Sequence, residues 1–505
     1  MFRVHLFQER ETVPEWGTVL VNGEKATLQF ARVSAVPYNV VWPGHQRSTD
    51  DTEIAPFLSF ESNGPAEVRV RSERIRPQSD LIVRPRSRNV RVAAGNGEAT
   101  FVLPGPGAYT FEIDGFHKAL HLFCGPERDF AAEEEKSGRT VLRYGPGVHE
   151  TGNVEIPSHT SVVLDPGAVV YGSFTAIGAE DVRLCGYGIV DGSGEVRTDD
   201  TCPIPYSFRG SGRQYDLTNE DDLRRHIKED HVLNGCVRFY NCRDFSVEGP
   251  ILRDSSVFAL IPANCEDFVI ENVKTIGMWR FNSDGIDLFN CRNAVIRNCF
   301  LRNFDDCVVL KGIRGWDTKD MENILVEGCV VWCDWGSALE VGAETNADVY
   351  ENILFRDCDV IHASSVCMRV HHNNRADIRN VAYENIRAEY SKDHLPTKLI
   401  QPGRPYDGKP NEKQPKLFVL IITPTVRYSD LPISGTMENV RFSDIRVYKD
   451  KEVAVPESQI LSKDEEHRIR NVTVGRITVN GETAADYRAH VQIDPLTENV
   501  AFTEE

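Results

Sequence analysis

The 505-residue chain has little that points to a membrane, a nucleic acid or a secretory leader. No apolar run approaches the roughly 20 residues of a membrane span, and the longest candidate covers only residues 417–423. The formal net charge of −19 disfavours nucleic acids and acidic membrane surfaces as partners. The first residues lack an apolar core of signal-peptide length. The chain as written is therefore expected in the cytoplasm, and outside it or in the periplasm if a leader has been removed.

The 13 cysteines offer no CxxC pair, the common spacing of zinc sites. Neither a metal nor another cofactor is therefore expected. Several cysteines directly follow an asparagine, as in Asn264-Cys265 and Asn290-Cys291. We expect them to be reduced and to act as small buried hydrophobic side chains in a wall of repeated strands.

Residues 1–135 show no period but contain short alternating runs at 66–71, 89–92 and 107–113, separated by Pro and Gly. Short strands with frequent turns predict an antiparallel β-sandwich domain. The charged segment 133–138 is expected to be a weakly structured join, and the domain boundary is placed there.

From residue 136 onward, short β-rich runs recur and end in Gly or Asn. Five segments align with spacings of 26, 30, 29 and 28 residues, read at Asn272, Asn298, Gly328, Asp357 and Asn385. A fixed period with one polar position predicts an all-β fold, a right-handed parallel β-helix over 136–505 in which Asn side chains stack from coil to coil. A leucine-rich solenoid is the competing repeat, but its Leu-Asn consensus and helical half are missing.

Two stretches interrupt this period. Residues 195–234 are polar with a short helix expected at 220–229, and residues 391–435 are rich in Pro, Lys and Gly. Insertions in repeat proteins emerge as loops, often on the binding face. We interpret both as walls or lids of a cleft.

Two acidic clusters lie one expected coil apart. Asp284 follows Asn282-Ser283, and Asp305-Asp306 come 21 and 22 residues later. Because neighbouring strands lie roughly 4.8 Å apart, this spacing predicts that the three carboxylates form one group. Mutual repulsion then raises the pKa of one of them, so that the group can deliver a proton and activate a water. The alternative interpretation is that each cluster is only a polar turn.

These motifs resemble those of the polygalacturonases of glycoside hydrolase family 28, which are right-handed parallel β-helices. Asn282-Ser283-Asp284 and Asp305-Asp306 match two of the four family motifs. The other two depart, because residues 334–338 contain no His and Arg369-Val370-His371 lacks the Lys expected to bind a galacturonate. The missing Lys therefore disfavours an acidic substrate.

The resemblance implies hydrolysis of an α-glycosidic bond in a carbohydrate with inversion, with Asp305 as general acid and Asp284 and Asp306 as bases. Tryptophans 279, 332 and 335 flank the centre and are candidates for stacking on sugar rings. His372 would point away from His371 on a strand, so at most one of them faces the cleft. The expected substrate-binding residues are Asn282, Lys311, Trp335, Glu340, Glu344, Arg369 and His371.

Three alternatives stay open. The dextranases and isopullulanases of family 49 look similar too, since they combine a β-sandwich, a β-helix and three catalytic Asp residues without the motif His. A polysaccharide lyase on the same scaffold would use calcium held by carboxylates and a Lys or Arg base. A non-catalytic glycan-binding β-helix is the third. The sequence leaves the sugar, the cleavage mode and the oligomeric state undecided.

Overall fold

The computed structural model describes residues 2–7, 16–35, 38–39, 49, 52–195, 217–230, 235–316, 318–393, 397–400, 411–423 and 434–504. Within these ranges the chain is almost entirely β-structure. None of the helices found there is both long and apolar enough to cross a membrane.

The N-terminal strands are β1 (Arg3–Val4), β2 (Thr18–Val21), β3 (Glu24–Ala26), β4 (Gln29–Ser34), β5 (Tyr38–Asn39), β6 (Thr52–Glu61), β7 (Ala66–Arg71), β8 (Leu81–Arg84), β9 (Ala93–Gly95), β10 (Glu98–Leu103), β11 (Gly107–Ile113) and β12 (Leu120–Gly125), with a 3₁₀ turn at Arg86–Arg88. In β7, buried and exposed residues alternate, as in a strand with one face on a core. One sheet has the order β1-β6-β12-β11-β8 with β4 beside β6, and the other β3-β2-β7-β10-β9. β6 and β12 pair in parallel, a departure from the expected antiparallel pattern.

The expected weak join at 133–138 is wrong in part, because helix α1 (Phe130–Glu134) reaches into it. Asp129 caps this helix by accepting a hydrogen bond from the Ala132 N–H at 3.0 Å. Glu134 is buried and accepts hydrogen bonds from Ser161 and Arg183. These partners order the charged segment, which composition alone could not reveal.

The remaining chain forms coils of strands. The elements are β13 (Thr140–Tyr144), β14 (Gly147–Glu155), β15 (Thr160–Leu164), β16 (Ala168–Ile177), β17 (Glu180–Gly186), β18 (Ile189–Asp191), α2 (Glu220–Asp230), β19 (Gly235–Tyr240), β20 (Arg243–Glu248), β21 (Ile251–Arg253), β22 (Phe258–Ala263), β23 (Glu266–Glu271), β24 (Lys274–Met278), β25 (Ile286–Phe289), β26 (Arg292–Arg297), β27 (Phe300–Asn303), β28 (Val308–Gly312), β29 (Met321–Glu327), β30 (Val330–Cys333), β31 (Ser337–Thr345), β32 (Val349–Arg356), β33 (Asp359–Ala363), β34 (Val366–His372), β35 (Asp377–Glu384), β36 (Arg387–Tyr390), β37 (Thr397–Ile400), β38 (Asn411–Lys413), β39 (Lys416–Ile422), β40 (Met437–Ser443), β41 (Ile445–Lys449), β42 (Ser458–Leu461), β43 (Ile469–Val474), β44 (Ile477–Val479), β45 (Glu482–Thr483), a 3₁₀ turn at Tyr487–His490, β46 (Val491–Ile493) and β47 (Glu498–Phe502).

Apart from β37, β38 and β45, these strands stack in parallel into three faces of a right-handed β-helix, so the predicted fold class is confirmed. Face 1 runs β13-β15-β17-β20-β23-β26-β29-β32-β35-β40-β43-β47. Face 2 runs β18-β21-β24-β27-β30-β33-β36-β41-β44. Face 3 runs β19-β22-β25-β28-β31-β34-β39-β42-β46, and its outer surface carries the acidic clusters.

The inside of the coils is a continuous apolar core with stacked aromatic rings, as in Phe239–Phe245 at 4.0 Å. The cysteines of the described part are all buried and form no disulfide. The predicted column bonds from the Asn385 amide to Asp357. A neighbouring column forms a longer asparagine ladder: the Asn323 amide donates to Asn293 at 3.0 Å and the Asn352 amide to Asn323 at 3.2 Å. Both columns have positive φ, which explains why Asn recurs at these corners.

The sandwich packs on the outer surface of face 2. Phe57 and Phe123 of the sandwich share a cluster with Phe300 and Trp332 of the coils. Buried charges cross the same seam, where Arg84 bonds to Glu389. Since face 2 adjoins face 3, the sandwich is anchored beside the acidic clusters.

Most of the two insertions lies outside the described residues, so their expected place at the cleft stays a prediction. Helix α2 confirms the short helix expected at 220–229. β37 pairs with β38 and with β5, and this small sheet joins the second insertion to the N-terminal part.

Candidate active site

The two acidic clusters occupy successive coils of face 3. Ile286 of β25 pairs with Val308 of β28, so Asp284 and Asp306 stand at matching positions just before these strands. The Gly285 N–H donates to the Asp306 carbonyl oxygen at 2.9 Å. The 22-residue spacing therefore places the carboxylates one coil apart, as the sequence predicted.

The next coil supports the acidic pair from the other side. The Ser337 N–H donates to Asp306 Oδ1 at 2.8 Å. A Cβ atom on Gly336 would lie 2.4 Å from Asp306 Oδ1 and 2.6 Å from Asp305 Oδ1. Both carboxylate oxygens thus face the same bare stretch of backbone, where only a glycine leaves them room.

A cavity of about 190 Å³ opens at this point. Every residue that the sequence predicted to be catalytic or substrate-binding lies in its wall. The lining residues are Asn282, Asp284, Asp305, Asp306, Lys311, Trp335, Gly336, Glu340, Ala343, Glu344, Ser365, Arg369 and His371. The structure brings these side chains together, while the individual role of each stays a prediction.

Lys311 is bound inside the site rather than extended from it. Its ammonium group donates to Asp284 Oδ2 at 2.6 Å and to Asp287 Oδ2 at 2.7 Å. Burial alone would lower its pKa, but the surrounding carboxylates hold the pKa of Lys311 well above its usual range. Lys311 therefore stays cationic and is hydrogen-bonded to Asp284. Its expected contact with substrate stays a prediction.

Asp287 was missed from the sequence. It lies on β25 between Ile286 and Leu288, both of which belong to the core. Alternation along the strand therefore turns Asp287 to the outer surface of face 3, beside the cavity. This alternation was a signal that the sequence already contained.

The carboxyl groups differ in how their environment affects proton binding. Burial, followed by the charges of Glu340, Asp305 and Asp284, holds the pKa of Asp306 well above its usual range. Burial also raises the pKa of Asp284, although Lys311 opposes this. Asp306 is therefore the carboxyl group of this pair whose protonated form the surroundings favour.

Glu340 belongs to a second charged group in the cavity. Its Oε1 lies 3.7 Å from Arg369 Nε and 3.7 Å from His371 Nδ1. Burial alone would raise the pKa of Glu340, but Arg369 and His371 lower it to about 2. Glu340 therefore carries a negative charge near neutral pH, and this charge adds to the burial that raises the pKa of Asp306.

Of the three candidate tryptophans, only Trp335 lines the cavity. It stacks on Phe304, with ring centroids 6.0 Å apart and planes within 4°. The expectation for Trp332 is wrong, because its ring is fully buried under the sandwich with the Arg302 guanidinium 3.8 Å from its centre. Trp279 is buried and donates to Asp254.

His372 points away from the cavity, as alternation requires, and its Nδ1 lies 2.7 Å from the Thr345 hydroxyl. Glu344 lies four residues beyond Glu340 on β31 and is buried. Burial raises its pKa.

Among the residues the structure describes, no group of three His, Cys, Asp or Glu side chains has the arrangement of a metal site.

Comparison with known proteins identifies similar sequences for the central coils. Residues 173–395 match the model of glycosyl hydrolases family 28. A probable rhamnogalacturonase A of Aspergillus oryzae is 29% identical over 162 residues, 31% of this chain and 32% of the relative. An exopolygalacturonase X of Aspergillus niger is 26% identical over 204 residues, 38% and 39% of the two chains. The chain thus spans about a third of the length of these relatives.

The comparison with solved structures extends over nearly the whole chain. Dex49A from Penicillium minioluteum superposes with a TM-score of 0.60, covering 99% of this chain and 94% of that one at 13% identity. At this identity the likeness establishes the shared fold alone. It includes the N-terminal sandwich, which the family 28 match does not reach.

Proposed function

We propose, from the match of residues 173–395 to the glycosyl hydrolases of family 28, that this chain hydrolyses α-glycosidic bonds in an oligo- or polysaccharide with inversion. The observation that carries the proposal is the convergence of Asp284, Asp305 and Asp306 on one cavity. Hydrolysis with inversion needs a carboxylic acid on one side of the bond and a carboxylate on the other.

In the proposed reaction, the Asp305–Asp306 pair supplies the acid. Asp305 donates its proton to the glycosidic oxygen as the bond from that oxygen to the anomeric carbon breaks. The raised pKa of Asp306 favours a proton on this pair and disfavours the expected role of Asp306 as a base. The leaving sugar departs with that proton as a free hydroxyl group.

Asp284 serves as the base. One of its oxygens is held by Lys311, while Oδ1 is buried and has no hydrogen-bond partner among the described residues. The proposal assigns this oxygen to the attacking water, which enters from the cavity that Asp284 lines. The water attacks the anomeric carbon from the face opposite the leaving group and passes a proton to Asp284, which inverts the configuration.

The charge of the site favours a neutral glycan as a second candidate for the substrate. Lys311 is occupied by two carboxylates, and Arg369 lies against Glu340. A uronic acid would have to share Arg369 with Glu340 in a cavity lined by further carboxylates. Like charges close together repel, so we expect neutral α-linked sugars to be cleaved faster than polygalacturonate.

A panel of pectic and neutral α-linked glycans tests both proposals. We expect new reducing ends from at least one glycan, and none when Asp284 is changed to Asn. Products that absorb in the ultraviolet and disappear with a chelator would indicate a calcium-dependent lyase instead. Binding without cleavage of any glycan would indicate a non-catalytic module.

The pH profile provides a separate prediction. Since the negative charge of Glu340 raises the pKa of Asp306, a Glu340→Gln change should let the acidic pair lose its proton at lower pH. The alkaline limb of kcat/KM should then move down by about one unit, the scale of a close like charge. Glu351→Gln, on face 1, is the control. An alkaline limb that stays in place in Glu340→Gln would contradict this account.

A further inference from the structure

We propose that Asp287 and Lys311 are positioning residues for Asp284: the Asp287 carboxylate anchors the Lys311 ammonium group, which holds one oxygen of Asp284. This inference rests on the proposed hydrolase function and gives Asp287 and Lys311 a role in it. It also changes the expectation for Lys311, from substrate contact to control of the base.

The Lys311 ammonium group is surrounded by close contacts on several sides. Lys311 Nζ lies 2.6 Å from Asp284 Oδ2 and 2.7 Å from Asp287 Oδ2. The Phe258 ring of β22 closes another side, with its centre 4.7 Å from the ammonium nitrogen. Only 3% of Lys311 is exposed. A buried charge with so many neighbours has little freedom to move, so the oxygen bound to it is fixed as well.

The register of the strands explains how Lys311 reaches both carboxylates. Asp287 pairs with Val309 and Phe289 with Lys311 in the register of β25 and β28. Asp287 and Lys311 are therefore on the same outer surface but two residues apart along the strands. The lysine side chain reaches back along the strand to Asp287 and Asp284, and it is long enough to meet both.

Lys311 binds only one of the two carboxylate oxygens of Asp284. Oδ2 bonds to Lys311, whereas Oδ1 has no partner in the described part of the chain. The remaining charged groups that face this trio are Asp305 and Asp306 before β28, Glu340 and Glu344 on β31, and Arg369 and His371 on β34. Burial raises the pKa of Asp284 and holds that of Asp287 well above its usual range, and Lys311 is the cation that opposes both shifts.

A Lys311→Met variant tests the proposal. We expect kcat to fall by about tenfold to a hundredfold, the scale of a small misplacement of a reacting group, with KM little changed. A nearby cation favours the ionised form of a carboxylate, so its loss raises the pKa of Asp284. The acid limb of kcat/KM should move to higher pH by about one to three units. Removal of a substrate contact would instead raise KM and leave that limb in place.

Asp287→Asn tests the anchor with little change of shape. It should lower kcat with KM unchanged, and wild-type kcat would overturn the role of Asp287.

The matched control for Lys311→Met is Lys274→Met, since Lys274 is also 3% exposed but bonds to the Gly249 carbonyl oxygen away from the cavity. It should cost stability and leave the acid limb unmoved. If Lys311→Met does not fold, the double variant with Asp287→Asn removes both partners together, which buried pairs tolerate better.

Crystal structures of the variants separate this proposal from the hydrolase function. The Asp284 carboxylate should turn away from its wild-type position in Lys311→Met and in the double variant, whether or not any glycan is cleaved. An unmoved Asp284 would overturn the positioning role even in an active enzyme. A wild-type chain that cleaves no glycan would reject the hydrolase function by itself.

Discussion

Replacing Asp305 with Asn is expected to lower kcat by about 10²–10⁴-fold, the usual worth of a general acid. The amide cannot donate the proton that the leaving oxygen needs. The fold should survive, because the change removes one negative charge from a group that includes Asp306, Asp284 and Glu340. Steady-state kinetics on a glycan that the wild type cleaves, with a thermal unfolding curve, measure both effects.

The leaving group distinguishes acid from base. An aryl glycoside with a good leaving group needs little protonation, so Asp305→Asn should recover much of its activity on it. Asp284→Asn should not recover, because the water must still be activated. Asp357→Asn is the control, since Asp357 is at a corner of face 1 with a positive φ that suits Asn. Equal losses of Asp305→Asn on both substrates would remove Asp305 from the acid role.

Replacing Gly336 with Ala is expected to lower kcat by at least about 10²-fold, although no charge is altered. The added Cβ would lie 2.4 Å from Asp306 Oδ1 and 2.6 Å from both Asp305 Oδ1 and the Asp306 backbone nitrogen. The backbone cannot give way easily, so both carboxylates must shift. Displacing a reacting group by about 1 Å costs on the order of a hundredfold, and the crowding should cost about 1–3 kcal/mol of stability.

Gly145→Ala provides the matched control for this change. Nothing lies within 4 Å of a Cβ at Gly145, so stability and activity should both stay near wild type. A Gly336→Ala enzyme with normal kcat would contradict the described approach of Asp305 and Asp306 to residue 336.

The position of the acidic clusters was predictable because a β-helix converts sequence period into distance. One coil of 22 residues separates Asp284 from Asp306, and parallel strands in register must then place them side by side. Arg369 and His371 follow by the same rule, since alternation turns both to the outer surface of face 3.

The ion pairs inside the site could not be read in this way. Lys311 has a long side chain, and whether it reaches substrate or a neighbouring carboxylate depends on the space left by Phe258 and Asp287. Spacing gives the coil on which a residue lies but not the direction of a flexible side chain. The acidic neighbour Asp287 was visible only as one polar residue between two core residues.

Contacts between distant segments were also beyond the sequence. Trp332 follows the acidic pair by about one coil, yet it lies on face 2, where the sandwich covers it. Deciding this needs the packing of Phe57 and Phe123 against the coils, and no local pattern encodes that. The same holds for Glu134, whose burial depends on Arg183 of a later coil.

The most direct test of the central claim is the configuration of the first product, followed by proton NMR while an α-linked glycan is cleaved. With Asp284 and the Asp305–Asp306 pair acting from opposite faces of the sugar, the β-anomer should appear first and the α-anomer only later by mutarotation. An α-anomer at the earliest times would contradict the account, because it would require a covalent intermediate instead of direct attack by water.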